Sequence, residues 1–321
     1  MYYVSEGTVQ KAVKQADVTG AIEKAFLALA DGSARNFPVV RETLNYADAV
    51  FGFKSGFIKS GPVLGIKAGG LWPGNAAKGI ANHQSTIALF DPESGSPKAL
   101  VRGTYLTALR TAAASALSIR ALARSDAKTL GILGAGGQSV FQVKAAMAEH
   151  QFSTLLVYDL STDNANRLKE ALDEEPIDVR VADAQTVCSE ADVLITVTPA
   201  REAIVKSDWI KPGTHLACMG ADTKGKQEVE AALVGRANLF GDEAQQAVTL
   251  GECQHAFAEN LITESDITTL GLALVGKHPG RGSDEEITLF DSTGMGLQDL
   301  VAAELALDIA LSQDLAHDLP D

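Results

Sequence analysis

A glycine-rich turn constrains the fold of this 321-residue chain more than any other feature. The turn is Gly134-Ala135-Gly136-Gly137-Gln138-Ser139; it follows the apolar run Thr129–Leu133, and Asp159 ends the next apolar run 20 residues after Ser139. Glycines at these places permit a tight strand-to-helix turn and let backbone N–H groups approach a pyrophosphate at a helix N-terminus. The sequence therefore predicts a dinucleotide-binding unit here, in preference to a glycine-rich turn without a ligand.

Asp159 indicates which dinucleotide such a unit would bind. A carboxylate at the end of the second strand accepts hydrogen bonds from a ribose 2′-hydroxyl and repels a 2′-phosphate. The following Leu160-Ser161-Thr162-Asp163 contains no arginine that would bind that phosphate. The pattern predicts NAD(H) rather than NADP(H); the alternative is a solvated carboxylate at a strand end.

The rest of the chain predicts an α/β protein with a Rossmann-type doubly wound sheet inserted into a discontinuous α+β domain. Helical spacing predicts helices over 8–30, 104–124 and 297–316. Short apolar runs predict a β-rich region with strands over 37–40, 49–53, 63–67, 86–90 and 99–102. Six further runs, over 129–133, 154–158, 179–182, 193–197, 215–219 and 237–240, alternate with helix-compatible segments. We expect residues 123–291 to form the dinucleotide-binding domain, and residues 1–122 with 292–321 the other.

Composition excludes several classes of function. Twenty-seven Lys and Arg face 41 Asp and Glu, a net charge of −14, which argues against a sequence-independent nucleic-acid binder. The three cysteines form no CxxC pair and no histidine stands at metal-ligand spacing, so we expect reduced thiols and no metal site. Without a basic leader or an 18-residue apolar stretch, the sequence predicts a cytoplasmic protein with no membrane partner.

Two cations stand at apolar positions. Arg110 lies on the apolar stripe of the helix predicted over 104–124, four residues after Leu106 and seven before Leu117. Lys67 ends the apolar strand predicted over 63–67. A charge on such a face needs a partner, because burying it alone is costly. Taken singly, each residue is more often a rim or snorkelling side chain than part of a site.

Six segments together resemble the ornithine cyclodeaminase/mu-crystallin family, in the same order and over nearly the whole chain. They are Gly65-Ile66-Lys67-Ala68-Gly69, the hairpin Phe90–Pro97, Thr107-Ala108-Leu109-Arg110-Thr111-Ala112-Ala113, the glycine-rich turn, Gly220-Ala221-Asp222 and Asp291-Ser292-Thr293-Gly294. The resemblance implies a homodimer built through the N-terminal β domain, a Rossmann domain for a nicotinamide cofactor, and a small anionic imino- or amino-acid substrate bound between the domains.

The resemblance also implies roles for individual residues. Arg41, Lys67 and Arg110 match substrate-binding positions, with Arg110 gripping the α-carboxylate. Asp222 matches the acid of the cyclodeaminases; the alternative is a loop carboxylate that caps the next helix. Positions near the cofactor are matched by Thr111, Thr198 and Ser292.

These residue types suit hydride transfer between an amino acid and its imine. Arginines bind carboxylates in bidentate fashion, and neighbouring cations lower the pKa of a lysine such as Lys67 toward use as a proton donor. Asp222 follows a predicted strand and would hold an iminium or exchange its proton. His83, in Asn82-His83-Gln84-Ser85, resembles the ketimine-reductase branch rather than the Leu-Pro-Thr of cyclodeaminases; it would contact substrate or donate a proton, or else be a core residue.

The sequence thus favours an NADH-dependent imine reductase that forms an L-amino acid, with iminosuccinate to L-aspartate as the most specific hypothesis. The cations exceed what one carboxylate needs, which favours a dicarboxylic imine. An ornithine-type cyclodeaminase that retains NAD is the main alternative, followed by an alanine dehydrogenase or a cyclic ketimine reductase. A mu-crystallin-like binding protein ranks last, because that branch typically uses NADP(H).

Overall fold

The computed structural model describes residues 1–320, which fall into two compact units. Unit 1 comprises Met1–Arg110 and the described residues from Met295 onward, and unit 2 comprises Thr111–Gly294. The helices are α1 (Glu6–Ala12), α2 (Gln15–Ala30), α3 (Thr104–Leu122), α4 (Ser139–Glu149), α5 (Thr162–Ala171), α6 (Ala184–Glu190), α7 (Ala231–Val234), α8 (Ala244–Leu250), α9 (Gln254–Ala258), α10 (Leu270–Leu274) and α11 (Gly296–Ser312).

The strands of unit 1 are β1 (Tyr2–Val4), β2 (Ala34–Asn36), β3 (Val40–Thr43), β4 (Val50–Ile58), β5 (Val63–Leu71), β6 (His83–Phe90), β7 (Pro97–Arg102) and, at the end of the chain, β18 (His317–Asp318). Those of unit 2 are β8 (Thr129–Leu133), β9 (Thr154–Tyr158), β10 (Asp178–Val181), β11 (Val193–Thr196), β12 (Arg201–Val205), β13 (His215–Cys218), β14 (Gln227–Val229), β15 (Asn238–Gly241), β16 (Ile267–Thr269) and β17 (Thr288–Asp291).

Unit 1 is a largely antiparallel sheet with helix α11 packed against strands β4, β5 and β6. Two glycines let the helix approach closely. A Cβ on Gly56 would lie 2.7 Å from Cδ2 of Leu297, and one on Gly65 would lie 2.7 Å from Cδ2 of Leu300. The helix carries apolar residues on nearly all sides, as a helix buried in a core does. This close packing fixes the first two turns of α11 over strands β4 and β5.

Unit 2 is a parallel eight-stranded sheet in the order β10-β9-β8-β11-β13-β17-β15-β16, beside a two-stranded ribbon of β12 and β14. The strand order reverses direction on either side of β8, as in doubly wound folds. The predicted α/β class with a Rossmann-type parallel sheet is therefore confirmed. Its apolar interior includes Leu133, Leu194, Leu216 and Leu289.

Several predicted elements differ in detail. The single helix predicted over 8–30 is two helices, because Val13 adopts an extended conformation (φ −91°, ψ 125°) between α1 and α2. The sheet of unit 2 has two more strands than the six predicted, β16 and β17. The predicted helix over 297–316 ends at Ser312. No helix within residues 1–320 combines the length and apolar character needed to cross a membrane.

The two units divide the chain between Arg110 and Thr111, inside helix α3, and between Gly294 and Met295. The sequence pattern places the domain boundaries after residues 122 and 291 instead. The roles assigned to the two domains stay a prediction.

Candidate functional site

Lys67 is buried in unit 1, with 7% of its surface exposed. Burial alternates along the first residues of β5, which places Lys67 on the same face as Val63 and Gly65. Its Nζ donates hydrogen bonds to Oγ1 of Thr107 at 2.8 Å and to Oδ1 of Asp299 at 3.0 Å. The third ammonium N–H has no acceptor within the described chain, and it is the donor that a ligand can use.

Arg110 is equally buried, at 6% exposure, and shares the same carboxylate. Its Nε donates to Oδ1 of Asp299 at 3.1 Å, and Nη1 donates to Oε1 of Gln298 at 3.2 Å. Oδ2 of Asp299 is buried without a hydrogen-bond partner among residues 1–320. One carboxylate oxygen therefore bridges two cations, while three of the five guanidinium N–H donors of Arg110 remain for a ligand. We call Lys67, Asp299 and Arg110 the bridged cation pair.

The charges of this cluster set its protonation. Burial lowers the pKa of Lys67 to about 8; Asp299 opposes the shift, and Arg110 and Arg41 reinforce it. Burial opposes ionisation of Asp299, but Arg110 and Lys67 outweigh it and hold the pKa of this carboxyl below its usual range. At neutral pH the pair thus carries a net positive charge.

His83 lies in the electrostatic field of the same cluster. Burial, together with the charges of Lys67 and Arg110, lowers the pKa of His83 to about 3. The imidazole is therefore neutral at physiological pH. In this state it donates a hydrogen bond from one ring nitrogen and accepts one at the other, but it does not act as an imidazolium acid.

Sequence reasoning identified the two cations and missed the groups that hold them: Asp299, Thr107 and Gln298. The signal for Asp299 is an acidic residue in the first turn of a predominantly apolar helix. A buried arginine requires a partner, and a carboxylate in an apolar helix has the same requirement. A search for a buried carboxylate to partner the buried arginine would therefore have predicted the contact between Arg110 and Asp299.

The glycine-rich turn adopts the conformation that its residues predict. Gly134 has φ +102°, and a Cβ there would lie 2.8 Å from the carbonyl oxygen of Val197, so both backbone and space require glycine. Helix α4 begins at Ser139, whose Oγ donates to the carbonyl of Gly136 at 2.7 Å. The turn and helix α5 line a cavity of 310 Å³, bounded by Ala135, Gly136, Gly137, Ser139, Val140, Asn164, Arg167 and Leu168.

Asp159 ties this turn to the next strand and helix. Its Oδ2 accepts from the N–H of Ala135 at 2.7 Å, and Oδ1 accepts from the N–H of Ser161 at 2.8 Å and from Nδ2 of Asn164 at 3.2 Å. Three of roughly four acceptor positions are thereby used, leaving one on Oδ2. Arg167, which sequence reasoning did not consider, hydrogen-bonds Asn164 and lines the cavity.

The other predicted site residues of unit 2 lie in loops after the strands. Oδ1 of Asp222 accepts from Nζ of Lys226 at 2.8 Å and from the hydroxyl of Thr223 at 3.1 Å. The sequence pattern did not identify Lys226 as the partner of Asp222. Oγ of Ser292 donates to Oδ2 of the buried Asp242 at 3.0 Å.

Two further predicted cofactor residues complete the set. The N–H of Thr198 donates to Oε1 of Glu228 at 2.6 Å. Thr111 follows Arg110 in helix α3, as the first residue of unit 2.

Within residues 1–320 no group of three His, Cys, Asp or Glu side chains is placed to hold a metal ion.

Comparisons with known proteins agree on one family. A sequence profile described as the ornithine cyclodeaminase/mu-crystallin family matches residues 3–314. The iminosuccinate reductase of Paracoccus denitrificans is 46% identical over 299 residues, 93% of either chain. Its crystal structure in complex with NAD⁺ matches with a TM-score of 0.95 at 44% identity, covering 100% of this chain and 99% of that one.

Two more solved structures are similar over nearly the full chain. The Δ(1)-pyrroline-2-carboxylate reductase of Thermococcus litoralis, in complex with NADH and L-proline, has a TM-score of 0.95 at 30% identity, covering 99% of this chain and 100% of that one. An archaeal alanine dehydrogenase dimer with bound NAD has a TM-score of 0.94 at 31% identity, covering 100% of this chain and 99% of that one.

Proposed function

The chain belongs to the ornithine cyclodeaminase/mu-crystallin family, and from this membership and the bridged cation pair we propose that it is an NADH-dependent imine reductase forming an L-amino acid. Iminosuccinate is the proposed substrate and L-aspartate the product. The observation that carries the proposal is the pair itself: two buried cations share one carboxylate oxygen and retain unused donors. Unit 1 then binds the substrate and unit 2 the dinucleotide.

The residues of unit 2 fit NAD(H). Gly136 and Gly137 leave room for a pyrophosphate at the start of helix α4, where exposed N–H groups favour an anion, and Gly134 provides the tight turn before them. The free acceptor position of Asp159 suits a ribose hydroxyl, and its charge disfavours a 2′-phosphate. Gln138, Ser139, Thr111, Thr198 and Ser292 complete the proposed cofactor site. When bound, the dihydronicotinamide supplies a hydride to the imine carbon.

The residues of unit 1 bind and protonate the substrate. Arg110 binds the α-carboxylate through its remaining guanidinium donors. Lys67 donates its third N–H to the imine nitrogen and holds the proton that this nitrogen requires, because its lowered pKa keeps the proton transferable near neutral pH. His83 acts as a neutral hydrogen-bonding group. Asp222, which belongs to unit 2, is proposed to stabilise the positive charge of the iminium.

A second carboxylate on the substrate explains the third cation. Arg41 is close enough to lower the pKa of Lys67 and of His83, so it belongs to the same electrostatic field. We assign it to the distal carboxylate of iminosuccinate. The relative that is 46% identical bears the name of this reaction, and the alanine dehydrogenase of Archaeoglobus fulgidus, at 32% identity, bears that of a related one.

The decisive experiment follows NADH oxidation with oxaloacetate in the presence and absence of concentrated ammonium, conditions in which the 2-oxo acid forms its imine. We expect ammonium-dependent oxidation with L-aspartate as product. Lys67→Met should lower its rate by about 10²–10⁴-fold, while Lys98→Met, which removes a partly exposed lysine paired with Glu304 in the same unit, should not.

Each competing activity has its own readout in the same assay. Faster oxidation with pyruvate and ammonium would identify an alanine dehydrogenase, and faster oxidation with a cyclic imine a ketimine reductase. Ammonia released from ornithine without net NADH change would identify a cyclodeaminase. Any of these results in place of oxaloacetate turnover overturns the proposed substrate.

The similar archaeal alanine dehydrogenase is a dimer. We propose that this chain also forms a homodimer through unit 1 and acts in the cytoplasm. Sedimentation at micromolar concentration tests the first statement, and fractionation of the source cells tests the second.

A further inference from the structure

Glu228 is a fully buried carboxylate in strand β14 that the proposed chemistry does not use. Its Oε1 accepts from the N–H of Thr198 at 2.6 Å. Its Oε2 accepts from the hydroxyl of Thr196 at 2.7 Å and from the N–H of Gly220 at 3.0 Å. We call Glu228 with these three donors the Glu228 clamp.

The clamp joins the ends of two neighbouring strands. Thr198 lies just after β11 and Gly220 just after β13, and these strands pair in parallel, with Thr196 opposite Cys218. The join is tight, because a Cβ on Gly220 would lie 2.6 Å from Cδ of Glu228. A single side chain therefore sets the spacing of two loops at the carboxyl edge of the sheet, where ligands bind in doubly wound folds.

The same loops contain or touch the residues proposed to bind the cofactor and substrate. Thr198 is a proposed cofactor residue, and Asp222 follows Gly220 by two positions. Thr198 also packs against the glycine-rich turn: a Cβ on Gly134 would lie 2.9 Å from Cγ2 of Thr198. The loops that follow the three neighbouring strands β8, β11 and β13 are thus packed together at the carboxyl edge of the sheet, next to the Glu228 clamp.

The clamp is itself held by a second buried carboxyl group. Oε1 of Glu252 accepts from the N–H groups of Glu228 at 2.9 Å and Val229 at 2.7 Å. The next residue, Cys253, donates its N–H to Oδ2 of Asp291 at 2.9 Å. Within residues 1–320 no lysine, arginine or histidine side chain bonds Glu228, Glu252 or Asp291, so backbone N–H groups take the place of cations.

Burying these carboxyl groups without cationic partners costs folding free energy, so a role other than stability is expected for them. Burial raises the pKa of Glu228, and it raises that of Glu252 well above its usual range, with the charge of Glu228 adding to the second shift. Replacing buried ionic groups by apolar residues is often neutral or stabilising. All three donors to the Glu228 carboxylate belong to segments at the carboxyl edge of the sheet, which indicates that Glu228 controls the position of that edge.

We propose that Glu228 is a positioning residue: it holds the backbone at Thr198 and Gly220 in the arrangement that dinucleotide binding requires. Because its side chain is fully buried, Glu228 acts through these loops and does not touch the ligand. The inference rests on the proposed function for the identity of the cofactor. The contacts of the Glu228 clamp all lie within unit 2 and do not depend on the identity of the cofactor.

Glu228→Gln tests the clamp with almost no change of shape. The amide NH₂ that replaces one carboxylate oxygen is a donor and faces either the N–H of Thr198 or the N–H of Gly220, so one amide loses its acceptor. Glu230→Gln is the matched control. Glu230 is two residues further on and also accepts a backbone N–H, from Ser207 at 2.8 Å, but it joins no ligand-edge loop.

Two measurements decide the matter. NADH binding, followed by fluorescence without substrate, should weaken by about tenfold or more in Glu228→Gln, the scale of one lost charge-assisted hydrogen bond, and stay unchanged in Glu230→Gln. Amide hydrogen exchange should accelerate over residues 193–200 and 215–222 in the first variant only. A role confined to stability would instead accelerate exchange throughout unit 2.

Thr196→Val provides a milder variant should Glu228→Gln fail to fold. It removes one hydroxyl donor and leaves both amides held, so NADH binding should weaken by about two- to fivefold, with faster exchange over the same segments. Binding and local exchange indistinguishable from Glu230→Gln would overturn the clamp. A wild-type protein that does not bind NADH would overturn the proposed function, while the exchange comparison would still decide the role of Glu228.

Discussion

Replacing Asp299 with asparagine should move the pH dependence of catalysis to lower pH. In the wild-type protein Asp299 opposes the effect of burial on Lys67, whose pKa is about 8. Asparagine keeps the shape and removes the charge. A hydrogen bond to a charged group contributes about 1.5–3 kcal/mol, and one pKa unit corresponds to about 1.4 kcal/mol. The pKa of Lys67 should therefore fall by about one to two units.

The sign of the change follows from the proposed role of Lys67 as a proton donor. Activity requires the ammonium form, so kcat/KM should decline as pH rises through the pKa of this group. The decline should lie near pH 8 in the wild-type protein and about one to two pH units lower in Asp299→Asn. The assay is kcat/KM for imine reduction at saturating NADH between pH 5.5 and 9.5.

Glu304→Gln is the control, because Glu304 lies in the same helix α11 and pairs with the partly exposed Lys98. It should leave the profile unchanged. An Asp299→Asn enzyme that stays active with its decline still near pH 8 would refute the reasoning, since Asp299 would then not govern the ionisation of Lys67.

The same substitution should affect stability in a pH-dependent way. Removing one partner of a buried ion pair typically costs about 3–5 kcal/mol, because the remaining charge is uncompensated. Lys67 can relieve part of that cost by releasing its proton, which becomes easier as pH rises. The loss of unfolding free energy should therefore be smaller at pH 9 than at pH 6.5, as measured by urea denaturation.

Four further outcomes are expected. Lys67→Met should lower kcat by about 10²–10⁴-fold without changing the Kd for NADH, as equilibrium binding would show. His83→Gln should raise KM for the imine but leave the pH profile unchanged between pH 5 and 9, because the imidazole is already neutral. Asp159→Ala should lower kcat/KM for NADH by about tenfold and raise it for NADPH. The three buried cysteines should resist a thiol reagent at pH 8 and all react after denaturation.

Local sequence patterns were sufficient to predict the scaffold of unit 2. The runs Thr129–Leu133 and Thr154–Tyr158 are strands with the predicted bounds. Strand β17 escaped prediction although it lies buried between β13 and β15, because its four residues include Thr288 and Asp291. Its pairing with β13 and β15, and not its composition, makes it a strand.

The site shows the same division between local and distant information. An apolar stripe and an apolar strand identified Arg110 and Lys67, since each lies at a position that its own element buries. Their shared partner is 189 residues from Arg110 and 232 from Lys67 along the chain. No periodicity reports a contact at that separation, and only the charge requirement of a buried cation pointed toward one.

The discontinuity of unit 1 has a consequence for biosynthesis. Met1–Arg110 leave the ribosome before helix α11, which fills the sheet face at Gly56 and Gly65 and supplies Asp299. Until that helix is translated, Lys67 and Arg110 have no carboxylate from it, and the sheet face that it packs against lacks this helix. Thr111–Gly294, by contrast, are available for folding as soon as they emerge. The segment made first is therefore completed last.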